Sequence, residues 1–63
     1  MKIIIVGLGR AGSYLTKVLS NEAYDVTVID TDKSLVDGIT DKYNVNGVAN
    51  NINNVIRRVV RLR

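Results

Sequence analysis

Three glycines and one acid are the residues whose spacing could do chemistry in this chain. Gly7, Gly9 and Gly12 form the pattern G-x-G-x-x-G, directly after Lys2-Ile3-Ile4-Ile5-Val6 and directly before a helix-like pattern. Each glycine has its own mechanical role in a dinucleotide site. Gly7 permits the tight turn out of a strand, and Gly9 lets the backbone approach a pyrophosphate with no Cβ in the way. Gly12 lets the following helix pack close to the strand. The pyrophosphate would rest on free backbone N–H groups of the first helical turn, where the helix dipole favours an anion. Arg10 and Ala11 lie inside this loop, and the Arg10 guanidinium could reach a phosphate; its plainer reading is a surface charge.

The acid is Asp30, 18 residues after Gly12, at the end of Asp25-Val26-Thr27-Val28-Ile29-Asp30. A Rossmann unit carries a carboxylate about 20 residues beyond its glycines, where it accepts hydrogen bonds from the adenosine ribose. Such an acid favours NAD over NADP, because a 2′-phosphate would meet a like charge. The turn Thr31-Asp32-Lys33 supplies no arginine to offset it, and Lys33 is a poor substitute for a planar guanidinium. The cofactor expected is NAD, as NADH or NAD+, held by Gly7, Gly9, Arg10, Ala11, Gly12, Asp30, Thr31 and Asp32. The competing reading makes Asp30 a loop residue and Asp32 merely the cap of the next helix.

The elements that must position these residues are an alternation of strands and helices. Lys2–Val6 reads as a first strand, apolar on both faces like a central parallel strand. From Ala11 to about Ser20, Ala11, Leu15, Val18 and Leu19 fall on one helix face. Asp25–Asp30 is a second strand. Thr31 or Asp32 then caps a second helix, about Lys33 to Tyr43, with Leu35, Val36, Ile39 and Tyr43 turned inward. Val45 to Ala49 is a poor third strand, since Gly47 and its neighbouring asparagines bring little apolar bulk. The fold class expected is α/β: a half-Rossmann βαβαβ unit over residues 1–49, with a three-stranded parallel sheet in the order 3-2-1. Residues 50–63 form a basic C-terminal helix or tail, in which Ile52, Val55, Ile56 and Val59 recur at helical spacing although their β-branching favours strand.

Composition narrows the function. At 63 residues the chain is one small unit, and a domain of this size buries only about 60% of its unfolded surface. Cysteine and histidine are both absent, which removes thiolate metal sites and the commonest acid–base catalyst at neutral pH. Lys17, Lys42 and Tyr43 lie in helix patterns without a catalytic partner, so the chain is not expected to be an enzyme. Residues 1–50 carry five basic and six acidic side chains; residues 51–63 carry Arg57, Arg58, Arg61 and Arg63 and no acid. The net charge of +3 thus belongs to the tail, unlike a uniformly basic nucleic-acid binder. The apolar run Ile3–Val6 is too short for a secretory signal or a membrane span.

Met1-Lys2-Ile3-Ile4-Ile5-Val6-Gly7-Leu8-Gly9-Arg10-Ala11-Gly12, then Asp25-Val26-Thr27-Val28-Ile29-Asp30-Thr31-Asp32, resembles the start of the Trk-type potassium-uptake NAD-binding proteins (TrkA-N, KTN or RCK domains). The likeness continues from Leu35 to Asp41-Lys42-Tyr43-Asn44-Val45 and ends near residue 48. It implies an NAD(H)-binding regulatory subunit, cytoplasmic or peripheral at the inner face of the cell membrane. Its implied partners are a membrane potassium transporter and further copies of itself. In the family a Gly-Asp-Ala-like turn after the third strand helps hold the nucleotide; here Val48-Ala49-Asn50-Asn51 stands instead, without the acid. The family's later strands and helices have no counterpart, so the chain resembles a truncated form. The alternatives are a fragment of an NAD-dependent dehydrogenase and a self-associating interaction module with a basic tail.

Overall fold

A computed structural model describes residues 1–54 and 56. Five elements alternate along the chain: β1 (Lys2–Val6), α1 (Arg10–Ser20), β2 (Asp25–Asp30), α2 (Lys33–Lys42) and β3 (Asn46–Ala49). The three strands form one parallel sheet, β1-β2-β3, with β2 in the middle. Ile5 lies beside Val28, and Val28 beside Gly47. Side chains at one level of a parallel sheet share a face, so these three positions line the same side. The Ile5 side chain approaches Gly12 of α1, and Gly47 abuts Val36 and Thr40 of α2. Both helices therefore cover that one face.

Ile5, Leu8, Val26, Val28 and Val36 form the core, with Ile3, Leu19, Ile39 and Val45 packed around it. β2 supplies its centre because it has a neighbour on each side. Val26 and Val28 are fully buried, and each contributes about 1.5–3 kcal/mol relative to an exposed side chain. Gly47 is a packing requirement: a Cβ there would come within 2.6 Å of Val36 Cγ1 and 2.7 Å of Thr40 Cγ2. That close approach explains a glycine in a strand that its composition made look poor.

Leu35, expected to turn inward from α2, is 43% exposed, and two further expectations change. Ala11, Leu15 and Val18 do not face the core; the sheet side of α1 is instead Gly12, Thr16 and Leu19, with Thr16 wholly buried. Thr16 tolerates this because its hydroxyl donates to the Gly12 carbonyl at 2.8 Å. The cause of the rotation is Gly12, whose contact with the β1–α1 turn brings the small-residue side of the helix down. Secondly, β1, apolar on both faces like a central strand, is covered on one face only: it lies at the sheet edge that the order 3-2-1 implies, and Ile4 is 65% and Val6 55% exposed on the face away from the helices.

The other boundaries agree to within a residue. α2 is capped by Asp32, whose Oδ1 accepts from the N–H groups of Ser34 (2.9 Å) and Leu35 (3.4 Å). Beyond β3, a helical turn over 52–54 opens with Asn51, whose side chain accepts from Asn53 N–H at 2.8 Å. Arg57, Arg58, Arg61 and Arg63, and with them the expected basic helix or tail, lie outside the described residues.

Candidate nucleotide site

The site begins where β1 ends. Gly7 has φ +93°, a conformation that side chains with a Cβ rarely adopt. Its N–H donates to the Ile29 carbonyl at 2.8 Å, so the turn is anchored to β2 as the chain leaves the sheet. A Cβ on Gly12 would collide with the Gly7 carbonyl oxygen. Gly9 differs: nothing lies within 4 Å of where its Cβ would be. Packing accounts for Gly12 and backbone conformation for Gly7, whereas Gly9 opens onto free space.

Gly9 is also the N-cap of α1, and it provides no side-chain acceptor. The N–H groups of Arg10, Ala11 and Gly12 have no intrahelical acceptor, since the first bond of the helix runs from Ser13 N–H to the Gly9 carbonyl at 2.9 Å. Arg10 and Ala11 are exposed. Among the described residues the first turn therefore offers donors with no acceptor, and its dipole favours an anion.

Asp30 lies at the tip of β2 and reaches across to this loop. Its Oδ2 accepts from Leu8 N–H at 2.7 Å and its Oδ1 from Asp32 N–H at 2.8 Å. The Asp32 bond, then the Leu8 bond, hold the carboxyl below its ordinary value against an opposing desolvation. A carboxylate oxygen has more than one acceptor position, so each oxygen retains capacity for a further donor such as a ribose hydroxyl.

Gly7, Asp30 and Thr31 share an open cleft of about 210 Å³ with Val6, Ile29, Asn50, Asn51 and Ile52. It lies beyond the C-terminal ends of the strands, where open parallel sheets bind ligands. The volume is below the 300–1,000 Å³ usual for closed ligand pockets, so a dinucleotide would extend from it across the surface. Of the residues expected from sequence, Gly7, Asp30 and Thr31 line the cleft, Gly9, Arg10, Ala11 and Gly12 lie outside it at the start of α1, and Asp32 has one oxygen committed to capping α2. Leu8 was not singled out, though it links the acid to the loop through its N–H. Its buried side chain is the anchor, and Ser13 Oγ donates to its carbonyl at 3.0 Å. An apolar residue between two turn glycines was the available signal.

A parallel α/β sheet with a glycine turn after its first strand and an acid at the tip of its second defines a Rossmann-like nucleotide-binding class. The TrkA-N domain family model matches residues 3–57, and the chain belongs to that family. The family is one of NAD-binding modules in the setting of Trk potassium transport. The match runs past β3 through the asparagine-rich turn, further than the resemblance read from the sequence. A comparison with curated proteins gave no match.

Proposed function

We propose that this chain binds NAD(H) and acts as a regulatory module of a Trk-type potassium uptake system, sensing a nucleotide rather than transforming a substrate. The diphosphate lies against the amides of Arg10, Ala11 and Gly12 beside Gly9, and the adenosine ribose is held by Asp30 near Thr31. The sheet is then one half of a doubly wound fold, in the order 3-2-1 counted from β3. The observation that carries this reading is the Leu8–Asp30 hydrogen bond, which joins the two halves of the fingerprint.

The partners are the membrane subunit of the transporter and other copies of this chain. No helix among the described residues is long and apolar enough to cross a membrane; the family's setting supports contact with the transporter from the cytoplasmic side. Asn50 and Asn51 occupy the place of the family's acidic turn, and they supply neutral amides to the cleft. Calorimetric titration of the 63-residue chain tests the reading. NADH should bind at least tenfold more tightly than NADPH, because the 2′-phosphate meets Asp30. Equal affinity would remove Asp30 from the ribose, and absence of binding by either would refute the proposal.

A further inference from the structure

Among the described residues β1 has a neighbouring strand on one side only, and its other edge carries an apolar strip on both faces. On the face away from the helices are Ile4 and Val6; on the helix face are Leu15, 46% exposed, and Val18, 41% exposed, with Ala11 beside them. The α1 stripe points toward this edge, because the opposite flank of α1 carries Ser13, which shares a cleft with Ser34, Leu35 and Gly38 of α2. Arg10 and Lys17 lie on that opposite flank by helical spacing.

The backbone at this edge has a specific pattern. The Met1 carbonyl and the Gly7 N–H bond to β2, so in a parallel ladder the odd-numbered residues of β1 face β2. Lys2, Ile4 and Val6 therefore point their N–H and C=O groups outward. These positions are symmetric about Ile4. An antiparallel copy of the same strand, centred on Ile4, would match Ile4 with itself and Lys2 with Val6. Such opposed pairs exchange both of their bonds, so every outward group of the strand gains a partner. No lysine would face a lysine.

We propose that the chain forms a two-fold dimer through antiparallel β1–β1 pairing centred on Ile4, making one continuous six-stranded sheet. The occupant is a second copy because the register closes both edges at once and brings identical apolar stripes together. The axis stands perpendicular to the sheet, so both α1 helices lie on the same face. α1 packs over β1 and β2. With strands about 4.8 Å apart, the two α1 helices stand about 10 Å from each other, the spacing at which helices pack. Ala11, Leu15 and Val18 then meet their counterparts across the axis. The interface is isologous and closes at two copies. It deepens the self-association proposed above and is independent of nucleotide binding.

Sedimentation of the 63-residue chain should give a concentration-dependent dimer without larger species. Ile4→Lys should weaken it at least tenfold, as should Ile4→Glu, while Leu35→Lys on α2 should leave it unchanged. An equimolar mixture of Ile4→Lys and Ile4→Glu should recover a heterodimer, because only this register sets residue 4 against itself. Hydrogen exchange on the unmodified chain covers the case in which a variant misfolds: the Ile4 and Val6 amides should be protected at dimer concentrations and exchange freely on dilution. A monomer, open-ended association, a dimer indifferent to both Ile4 variants, or unprotected Ile4 and Val6 amides would each overturn the proposal.

Discussion

Leu8 N–H and Asp30 Oδ2, 22 residues apart in sequence, meet at 2.7 Å. The bond links the glycine turn after β1 to the end of β2, so one carboxylate both shapes the loop and faces the cleft.

That double duty has a pH signature. The Asp30 carboxyl is held below its ordinary value by the Asp32 and Leu8 N–H groups. A lowered folded-state pKa contributes stability that is present above the unfolded value, near 3.9, and is lost as pH falls through the folded value. Asp30→Asn should therefore flatten the acid limb of the stability curve below about pH 4. Thermal melts of both proteins between pH 2 and 7 check this; parallel curves would show that Asp30 contributes no such linkage.

The glycines of the triplet should separate by mechanism. Gly12→Ala forces a Cβ onto the Gly7 carbonyl, a backbone clash that should cost at least about 1–3 kcal/mol, or about 5–20 °C in Tm for so small a domain. Gly9→Ala meets nothing within 4 Å. It should leave Tm within a few degrees and weaken NADH binding at least tenfold. Melting curves paired with calorimetry distinguish the two.

Asp32 should behave as a cap. Asp32→Ala removes the acceptor of the Ser34 and Leu35 N–H groups and should cost about 0.5–2 kcal/mol in chemical denaturation. NADH affinity should change less than with Asp30→Ala. A larger effect on affinity would place Asp32 on the ligand.

Gly47→Ala tests the packing of β3 against α2. Its Cβ would press on Val36 and Thr40, and a loss of about 1–3 kcal/mol is expected. The added methyl should be tolerated better with Val36→Ala, which removes one of the two close contacts and leaves Thr40; a double-mutant cycle reads this coupling.

The alternation of strands and helices was legible because β1 and β2 are dense in β-branched residues and the first helix follows its glycines directly. The glycine triplet and Asp30 were legible for the same reason: their roles belong to the backbone and to one short polar group. The orientation of α1 was not. Counting apolar residues favoured Ala11, Leu15 and Val18, whereas a steric demand at Gly12 turns Thr16 inward. Nor could composition show that Ile4 and Val6 stand exposed, since the apolar pattern of β1 reads alike on its two faces. The Leu8 N–H bond escaped because a backbone donor has no residue-type signature.

An amide NMR titration of the 63-residue chain with NADH reads directly where the nucleotide lies. Saturable shifts are expected at Gly9, Arg10, Ala11 and Gly12 together with Asp30 and Thr31, lost in Asp30→Ala. Saturable shifts confined to other residues, or a pattern unchanged by Asp30→Ala, would contradict that location.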